Sequence, residues 1–168
     1  LQKEPVFIKL MTTLSNPILA VLFAAAFTAL IQSSGAAVGI LSALATKGLV
    51  PFSTAAFMVC GLNIGTCITA VLASVTGCRN SKRIATFHVL FNLVGTICFL
   101  IICSATPLLS WIAEFSGTPA HQVANFHTVF NIVTTVIMLP FDAVFMKLIY
   151  KLLPIKGEML AEGSLIEE

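Results

Sequence analysis

Four long stretches of this sequence contain no acidic or basic side chain, and they constrain the fold more than any other feature. They are residues 10–46, 48–78, 84–113 and 115–141. A helix needs about 20 mainly apolar residues to cross the hydrocarbon layer of a membrane, and every stretch exceeds that length. Only 10% of the residues are charged, against about 25% in soluble domains. The sequence therefore predicts an all-α integral membrane protein in a lipid bilayer.

The composition also argues against other classes. The net charge of +2 is too small to suggest a nucleic-acid partner, and no basic stripe alternates with aromatic residues. Cys60, Cys67, Cys98 and Cys103 lie within apolar segments and lack the spacing of metal ligands. We interpret them as small packing residues and predict no cofactor.

The third and fourth stretches are typical of ordinary membrane spans. Residues 84–106 form one span, which ends before Pro107, and residues 123–150 form the next, with a kink at Pro140. Lys and Arg flank both spans on one side, whereas the connecting segment 107–122 contains neither. Because Lys and Arg favour the cytoplasmic side, we expect a multi-pass protein with segment 107–122 outside and the C-terminus in the cytoplasm.

The chain divides into three parts. Residues 1–15 mix charged with apolar residues and are expected to lie in the membrane interface. The membrane domain follows at 16–153, with a helix start at Asn16-Pro17. Residues 154–168 are polar and end in acidic residues, so we interpret them as a cytoplasmic tail or linker.

The first two stretches differ from the others because polar clusters interrupt them. These clusters are Gln32-Ser33-Ser34-Gly35 and Asn63-Ile64-Gly65-Thr66. A broken helix leaves backbone groups unpaired, which lipid tolerates only where the break lines a cavity enclosed by protein. Two short segments with glycine interruptions are typical of a transporter's binding site. We therefore expect two broken or re-entrant helical segments, as in one half of an inverted-repeat transporter.

The residue types in these clusters suit small ions. No Lys or Arg is present there, so an anion would bind to backbone N–H groups at the half-helix starts and to hydroxyl groups. Carbonyl and hydroxyl oxygens suit sodium. The candidate ligands for the two ions together are Gln32, Ser33, Ser34, Asn63 and Thr66. An alternative is simple helix packing, because Gly35-x-x-x-Gly39 and Gly61-x-x-x-Gly65 have close-packing spacing.

A short pattern, A-x-F-H-x-x-F-N, occurs twice. The first copy contains His88 and Asn92, and the second contains His127 and Asn131. Residues four apart lie on the same side of a helix, so each pair can form a structural hydrogen-bond unit or act in gating. The orientation predicted from charge places the two copies near opposite membrane faces, as an inverted relation requires.

Together these motifs resemble the type II sodium/phosphate cotransporter family. The resemblance rests on Thr28-Ala29-Leu30-Ile31-Gln32-Ser33-Ser34, Gly61-Leu62-Asn63-Ile64-Gly65-Thr66 and His88-x-x-Phe91-Asn92. It implies sodium-coupled symport of inorganic phosphate by a protein with two inverted repeats, each carrying a Q-S-S motif. It also implies that Gln32, Ser33 and Ser34 line the ion path, with Asn63, Gly65 and Thr66 close by. A symporter of this family would act by alternating access, with sodium as the coupling ion. It would lie in the plasma membrane, which in a bacterium is the inner membrane.

The sequence departs from the family pattern in two ways. Gly35 replaces a third serine, which removes one hydroxyl group, and only one Q-S-S motif is present. Residues 16–153 therefore resemble the second of two repeats. We expect the chain to complete its site in one of two ways. It either pairs with a second copy as a homodimer, or it is a piece of a longer protein whose first repeat supplies the other half.

Two other functions remain open on the sequence, and a third is disfavoured. The chain could transport another small anion, or it could be a membrane subunit that packs through its glycines without transporting. An intramembrane metalloenzyme would have to use His88 and His127, but the sequence has no H-E-x-x-H motif and no carboxylate pair within the spans. We therefore predict that the protein is not an enzyme.

Overall fold

A computed structural model describes residues 4–154, apart from the side chains of Phe7 and Leu10. In chain order the helices are α1 (Pro5–Leu14), α2 (Pro17–Ile31), α3 (Ser34–Thr46), α4 (Phe52–Val75), α5 (Arg79–Ala105), α6 (Leu108–Ser116), α7 (Pro119–Met138) and α8 (Asp142–Leu152). A 3-10 turn, Leu139–Phe141, separates α7 from α8. The predicted tail after residue 154 lies outside the described residues.

Three helical segments are long and apolar enough to cross a membrane. They are α4, α5 and the continuous run Pro119–Leu152, which combines α7, the 3-10 turn and α8. Helices α2 and α3 are apolar but shorter. Since residues 4–154 contain helices and no strand, the predicted all-α membrane fold is confirmed.

Helix boundaries follow local signals in the sequence. The Asn16 side chain accepts hydrogen bonds from the N–H groups of Ile18 (2.9 Å) and Leu19 (3.2 Å), and Pro17 occupies the first helical position. Such a cap satisfies donors that have no partner within the helix. Helix α5 ends at Ala105, just before Pro107, as predicted. The kink predicted at Pro140 is present as the 3-10 turn.

Helix α4 is the central element, and α2 packs along it. A Cβ atom on Gly61 would collide with the backbone carbonyl oxygen of Val21, and one on Gly65 would collide with that of Ala25. Because Val21 meets Gly61 and Ala25 meets Gly65, the two helices run parallel. The Gly61-x-x-x-Gly65 spacing therefore serves close packing of two backbones.

The second predicted break does not occur, since α4 is continuous from Phe52 to Val75. The Asn63 side-chain nitrogen donates to the carbonyl oxygen of Val59 (3.0 Å), and the Thr66 hydroxyl donates to that of Leu62 (2.8 Å). These polar side chains bond to the preceding helical turn and leave its backbone ladder intact. The prediction of two broken segments is therefore wrong for the second of them.

Helix α5 packs against α4 and against the segment α7–α8, antiparallel to both, and α4 also contacts α7 directly. The Thr96 hydroxyl donates to the carbonyl oxygen of Cys60 on α4 (3.2 Å). On the other side, the ring of Phe99 lies 4.8 Å from that of Phe130 on α7. Nearer the other end of α5, Phe87 lies 6.2 Å from Phe145 on α8. These aromatic contacts run along most of the helix pair and stabilise it.

The predicted outer segment 107–122 contains a helix that the sequence analysis did not identify. Helix α6 spans Leu108–Ser116, buries Ile112 and exposes Trp111 and Phe115. The Gln122 side chain on α7 donates to the carbonyl oxygen of Ala113 (3.3 Å). Short helices with one apolar, exposed side are typical of the membrane interface.

Candidate functional site

The first predicted break is present and forms the tip of a helical hairpin. Helix α2 ends at Ile31, and Gln32 adopts the left-handed conformation with φ 61°. It is the only non-glycine residue with positive φ among the described residues. Its backbone N–H donates to the carbonyl oxygen of Thr28 (2.6 Å). Such a conformation costs about 1–3 kcal/mol and is found preferentially at functional sites.

Ser33 turns the chain back and caps α3. Its backbone is extended, and its hydroxyl accepts a hydrogen bond from the N–H of Ala36 (3.3 Å). Its carbonyl oxygen accepts from the N–H of Ala37 (3.1 Å). The N–H groups of Ser34 and Gly35 belong to the first turn of α3, where helix geometry provides no acceptor from within the helix. The tip therefore presents N–H groups and hydroxyl groups at the positive end of a helix dipole.

The hairpin tip is open on one side. Gln32, Ser33 and Gly35 are exposed, and Ser34 is half-buried. A Cβ atom added at Gly35 or Gly39 would meet nothing within 4 Å. The packing interpretation of the two glycine spacings thus holds for α4, but within residues 4–154 no element packs closely against Gly35 or Gly39.

The second predicted cluster lies inside the protein on the intact helix α4. Asn63 is buried and Thr66 is half-buried. The hydrogen bonds of both side chains to the preceding turn leave oxygen lone pairs that could bind a cation. Gly65 lies against α2, and its lack of a side chain allows this close contact.

Thr28 connects the hairpin tip with the Gly65 position of α4, and the sequence analysis gave it no role of its own. It lies one turn before Gln32 on α2, and its side chain packs against Gly65. Thr28 is fully buried, and its hydroxyl has no hydrogen-bond partner. Native structures contain few such groups, and each costs about 1–3 kcal/mol. The spacing of four residues from Gln32 was the only sequence signal for it.

The two His–Asn motifs form hydrogen bonds within their own helices. The Asn92 side chain donates to the carbonyl oxygen of His88 (3.0 Å) and to the sulfur of Cys67 on α4 (3.4 Å). The Asn131 side chain donates to the carbonyl oxygen of His127 (2.7 Å). The partner in each motif is thus the histidine backbone and not its ring.

The two histidines do not lie in one site. Each lies in the first half of its own helix, and the helices α5 and α7 run antiparallel, so His88 and His127 lie at different levels along the pair. Among the described residues, no group of three or more His, Cys, Asp and Glu side chains could hold a metal ion.

These features define a class: a helical membrane protein in which a polar, broken hairpin packs on membrane-length helices. Comparison with known proteins gives the family, because residues 6–117 match the model of the Na+/Pi-cotransporter family. The match covers more than half of the chain, and the chain belongs to this family. The resemblance predicted from the motifs is therefore confirmed.

The relatives in this family are longer proteins. Over 137 residues the chain is 38% identical to the uncharacterized protein YqeW of Bacillus subtilis, covering 82% of this chain and 44% of that protein. It is 30% identical over 107 residues to the sodium-dependent phosphate transport protein 2A of Ovis aries, covering 60% of this chain and 17% of the relative. The Rattus norvegicus protein of that name is 30% identical over 102 residues, covering 57% of this chain and 16% of the relative. The chain spans less than half the length of these relatives. No solved structure matches it.

Proposed function

We propose that this chain forms half of the ion path of a sodium-coupled phosphate transporter that works by alternating access. The observation that carries the proposal is the left-handed tip at Gln32, which exposes polar groups while Thr28 packs its helix on α4. Membership of the Na+/Pi-cotransporter family supports phosphate as the transported anion. The hairpin tip and the Asn63–Thr66 side of α4 would be the two walls of the path.

Phosphate would bind at the start of α3. No Lys or Arg lies between Lys9 and Lys47, so the donors are the first N–H groups of α3 and the hydroxyl groups of Ser33 and Ser34. Phosphate groups bind readily at helix N-termini because the N–H groups point at the ligand and the dipole favours negative charge. The open surroundings of Gly35 leave room for a ligand to approach the backbone.

Sodium would bind to oxygen atoms between the tip and α4. The candidates are the side-chain oxygens of Gln32, Ser33 and Ser34 at the tip and those of Asn63 and Thr66 on α4. A bare ion is costly to place in an apolar interior. A cation next to the anion lowers that cost for both, which is a physical reason for coupled transport.

The charges suggest how the hairpin enters the membrane. Helix α4 runs toward the basic junction that begins at Arg79, which Lys and Arg preference would place in the cytoplasm. Because α2 runs parallel to α4, the hairpin would enter from the outside with its tip directed inward. This orientation is part of the proposal, as are the plasma-membrane location and a cytoplasmic C-terminus.

A complete path would need a second half. The open side at Gly35 and Gly39 and the greater length of the relatives support this step. We propose that a first repeat, or a second copy of this chain, encloses the tip.

The test is uptake of labelled phosphate into proteoliposomes, with and without an inward sodium gradient. It is made with the chain alone and with a longer protein that also contains the first repeat. We expect sodium-dependent uptake in at least one preparation, and loss of uptake when Ser34→Ala removes a donor at the tip. Ser42→Ala, two turns further along α3, is the matched control and should transport normally. Uptake that is indifferent to sodium, or equal in the two serine variants, would contradict the proposal.

A further inference from the structure

Basic side chains lie at the end of the helix pair α5–α8, on helices that contribute no residue to the hairpin tip. They are Arg79 and Lys82 on α5, and Lys147 and Lys151 on α8. In residues 76–105 and 139–154, the only carboxylate is Asp142, at the start of α8. This end of the molecule therefore has a strong positive charge.

Contacts between the two helices fix the depth of the basic residues. The ring of Phe145 lies 6.2 Å from that of Phe87, and the guanidinium carbon of Arg83 lies 4.2 Å from the centre of the Tyr150 ring. Lys147 lies between Phe145 and Tyr150 in sequence, so it is level with the part of α5 between Phe87 and Arg83. That is where the charge-free stretch of α5 begins. The lysine therefore lies where the hydrocarbon layer would meet the headgroups.

Two arginines hold α8 in this position. Arg83 is buried, and its Nε donates to the carbonyl oxygen of Leu153 (3.0 Å). The Nε of Arg79 donates to the carbonyl oxygen of Pro154 (3.1 Å). These two carbonyl groups belong to the residues that directly follow α8, at the negative end of the helix dipole, where cations are stabilising. These bonds fix α8 against α5 and define which of its sides remains open.

The open side of α8 combines apolar and basic residues. Val144, Leu148 and Leu152 are 63%, 45% and 58% exposed. Lys147 and Lys151 are also exposed, lie one turn apart and make no ion pair within residues 4–154. Long lysine side chains near a membrane interface extend along apolar surface and place the ammonium group among the headgroups.

We propose that this side of α8 binds anionic phospholipids. Their acyl chains would lie along Val144 and Leu148, and their headgroup phosphate would lie at the ammonium groups of Lys147 and Lys151. Charge complementarity selects an anionic lipid over a neutral one, and the exposed apolar residues at membrane depth select a lipid over a soluble anion. The proposal uses no residue of the candidate transport site and stands independently of transport.

A tryptophan reporter tests this assignment. The sequence has one Trp, Trp111 on α6, so Trp111→Phe with Leu148→Trp places the only tryptophan on the proposed surface, where it can be excited selectively over Tyr150. The chain is reconstituted with brominated phosphatidylglycerol or brominated phosphatidylcholine, and the ratio of quenching gives the relative association constant of the anionic lipid. We expect a clear preference for phosphatidylglycerol, which falls about fivefold for each lysine replaced in Lys147→Gln and Lys151→Gln. High salt should reduce it as well.

Controls separate charge from folding. If brominated phosphatidylcholine quenches every variant as strongly as the unaltered reporter protein, each variant is inserted in the membrane. If the double variant fails to insert, Lys151→Gln alone makes the same test. Arg at both positions should keep the preference, and Lys47→Gln, after α3, should not change it. Equal quenching by both lipids, or a preference that survives in the Gln variants, would overturn the proposal. So would loss of the preference on adding inorganic phosphate at constant ionic strength, because free phosphate would then be the ligand.

Discussion

The chain contains two G-x-x-x-G spacings in apolar segments, and they have opposite surroundings. Gly61 and Gly65 lie on a continuous helix and admit the backbone of α2, whereas Gly35 and Gly39 follow a broken tip and have open space around them. Both pairs are next to a polar cluster of similar composition. The spacing alone therefore does not distinguish a packing surface from a candidate ligand site.

The difference lies in how each polar cluster uses its hydrogen bonds. Asn63 and Thr66 bond to the preceding turn, so α4 continues. At the tip, Gln32 adopts a left-handed conformation, and Ser33 caps a new helix. A serine that caps a helix start competes effectively with helix continuation. The comparison predicts that the tip controls transport and that the glycines of α4 control stability.

The largest expected effect is on stability, in Gly61→Ala compared with Gly39→Ala. The new Cβ at position 61 would collide with the backbone of Val21, so we expect a loss of about 3 kcal/mol in the free energy of unfolding, at the upper end for overpacking. At position 39 the same change meets no atom and should stabilise the helix by up to about 1 kcal/mol. Thermal unfolding in detergent measures both. Similar losses in the two variants would remove the distinction between the spacings.

The second prediction concerns Gln32→Gly, which should separate transport from folding. Glycine adopts the left-handed conformation without strain, so the tip should keep its shape while it loses the side-chain amide. We expect unchanged or higher stability together with at least about a tenfold loss of sodium-dependent phosphate uptake, the effect of about 1.4 kcal/mol. Normal uptake in this variant would exclude Gln32 from the ion path.

A smaller effect is expected from Thr28→Val, with Thr134→Val as its matched control. Both hydroxyl groups are buried without a hydrogen-bond partner. Each side chain packs against a glycine of a neighbouring helix, Thr28 against Gly65 and Thr134 against Gly95. Replacing an unpaired hydroxyl by a methyl group of similar shape should be neutral or stabilising in both. Only Thr28 lies between the tip and α4, so only Thr28→Val should lower sodium-dependent uptake, by severalfold. Equal uptake in both variants would mean that the Thr28 hydroxyl has no part in transport.

Local signals account for the features that could be predicted from the sequence. The charge-free stretches indicate the membrane helices, Asn16-Pro17 marks the start of α2, and Pro140 marks the kink. The break at Gln32 follows from a polar cluster that contains a helix-capping serine. In each case the residues that determine the structure are neighbours in the chain.

The features that could not be predicted depend on distant contacts. Whether Gly61 interrupts α4 or allows another helix to pack closely against it depends on Val21, which lies on α2. The burial of Thr28 depends on the same contact between α2 and α4. The spacings of these residues are visible in the sequence, but they do not indicate which helix lies opposite, because the residue types at the two clusters suit both a break and an intact helix.

The smallest expected effect tests the continuity of α4 by thiol labelling. Cys67 is buried on α4, whereas Cys78 is exposed just beyond its end. If α4 is intact, a water-soluble maleimide should label Cys78 and not Cys67, and a Cys78→Ser variant should lose this labelling. A break at Asn63 would place Cys67 in the polar path, so labelling of Cys67 would revive the second broken segment.

The rate of Cys78 labelling should also depend on pH in a defined direction. Hydrogen bonding from the Ser81 side chain lowers the pKa of the Cys78 thiol below its ordinary value. The thiolate is the reactive form, so a lower pKa gives a larger reactive fraction near neutral pH. Ser81→Ala should raise the pKa and slow labelling at pH 7, and the two rates should converge at a pH above both pKa values. A rate that Ser81→Ala does not change at pH 7 would mean that this hydrogen bond does not control the thiol, whereas labelling confined to Cys78 would still support an intact α4.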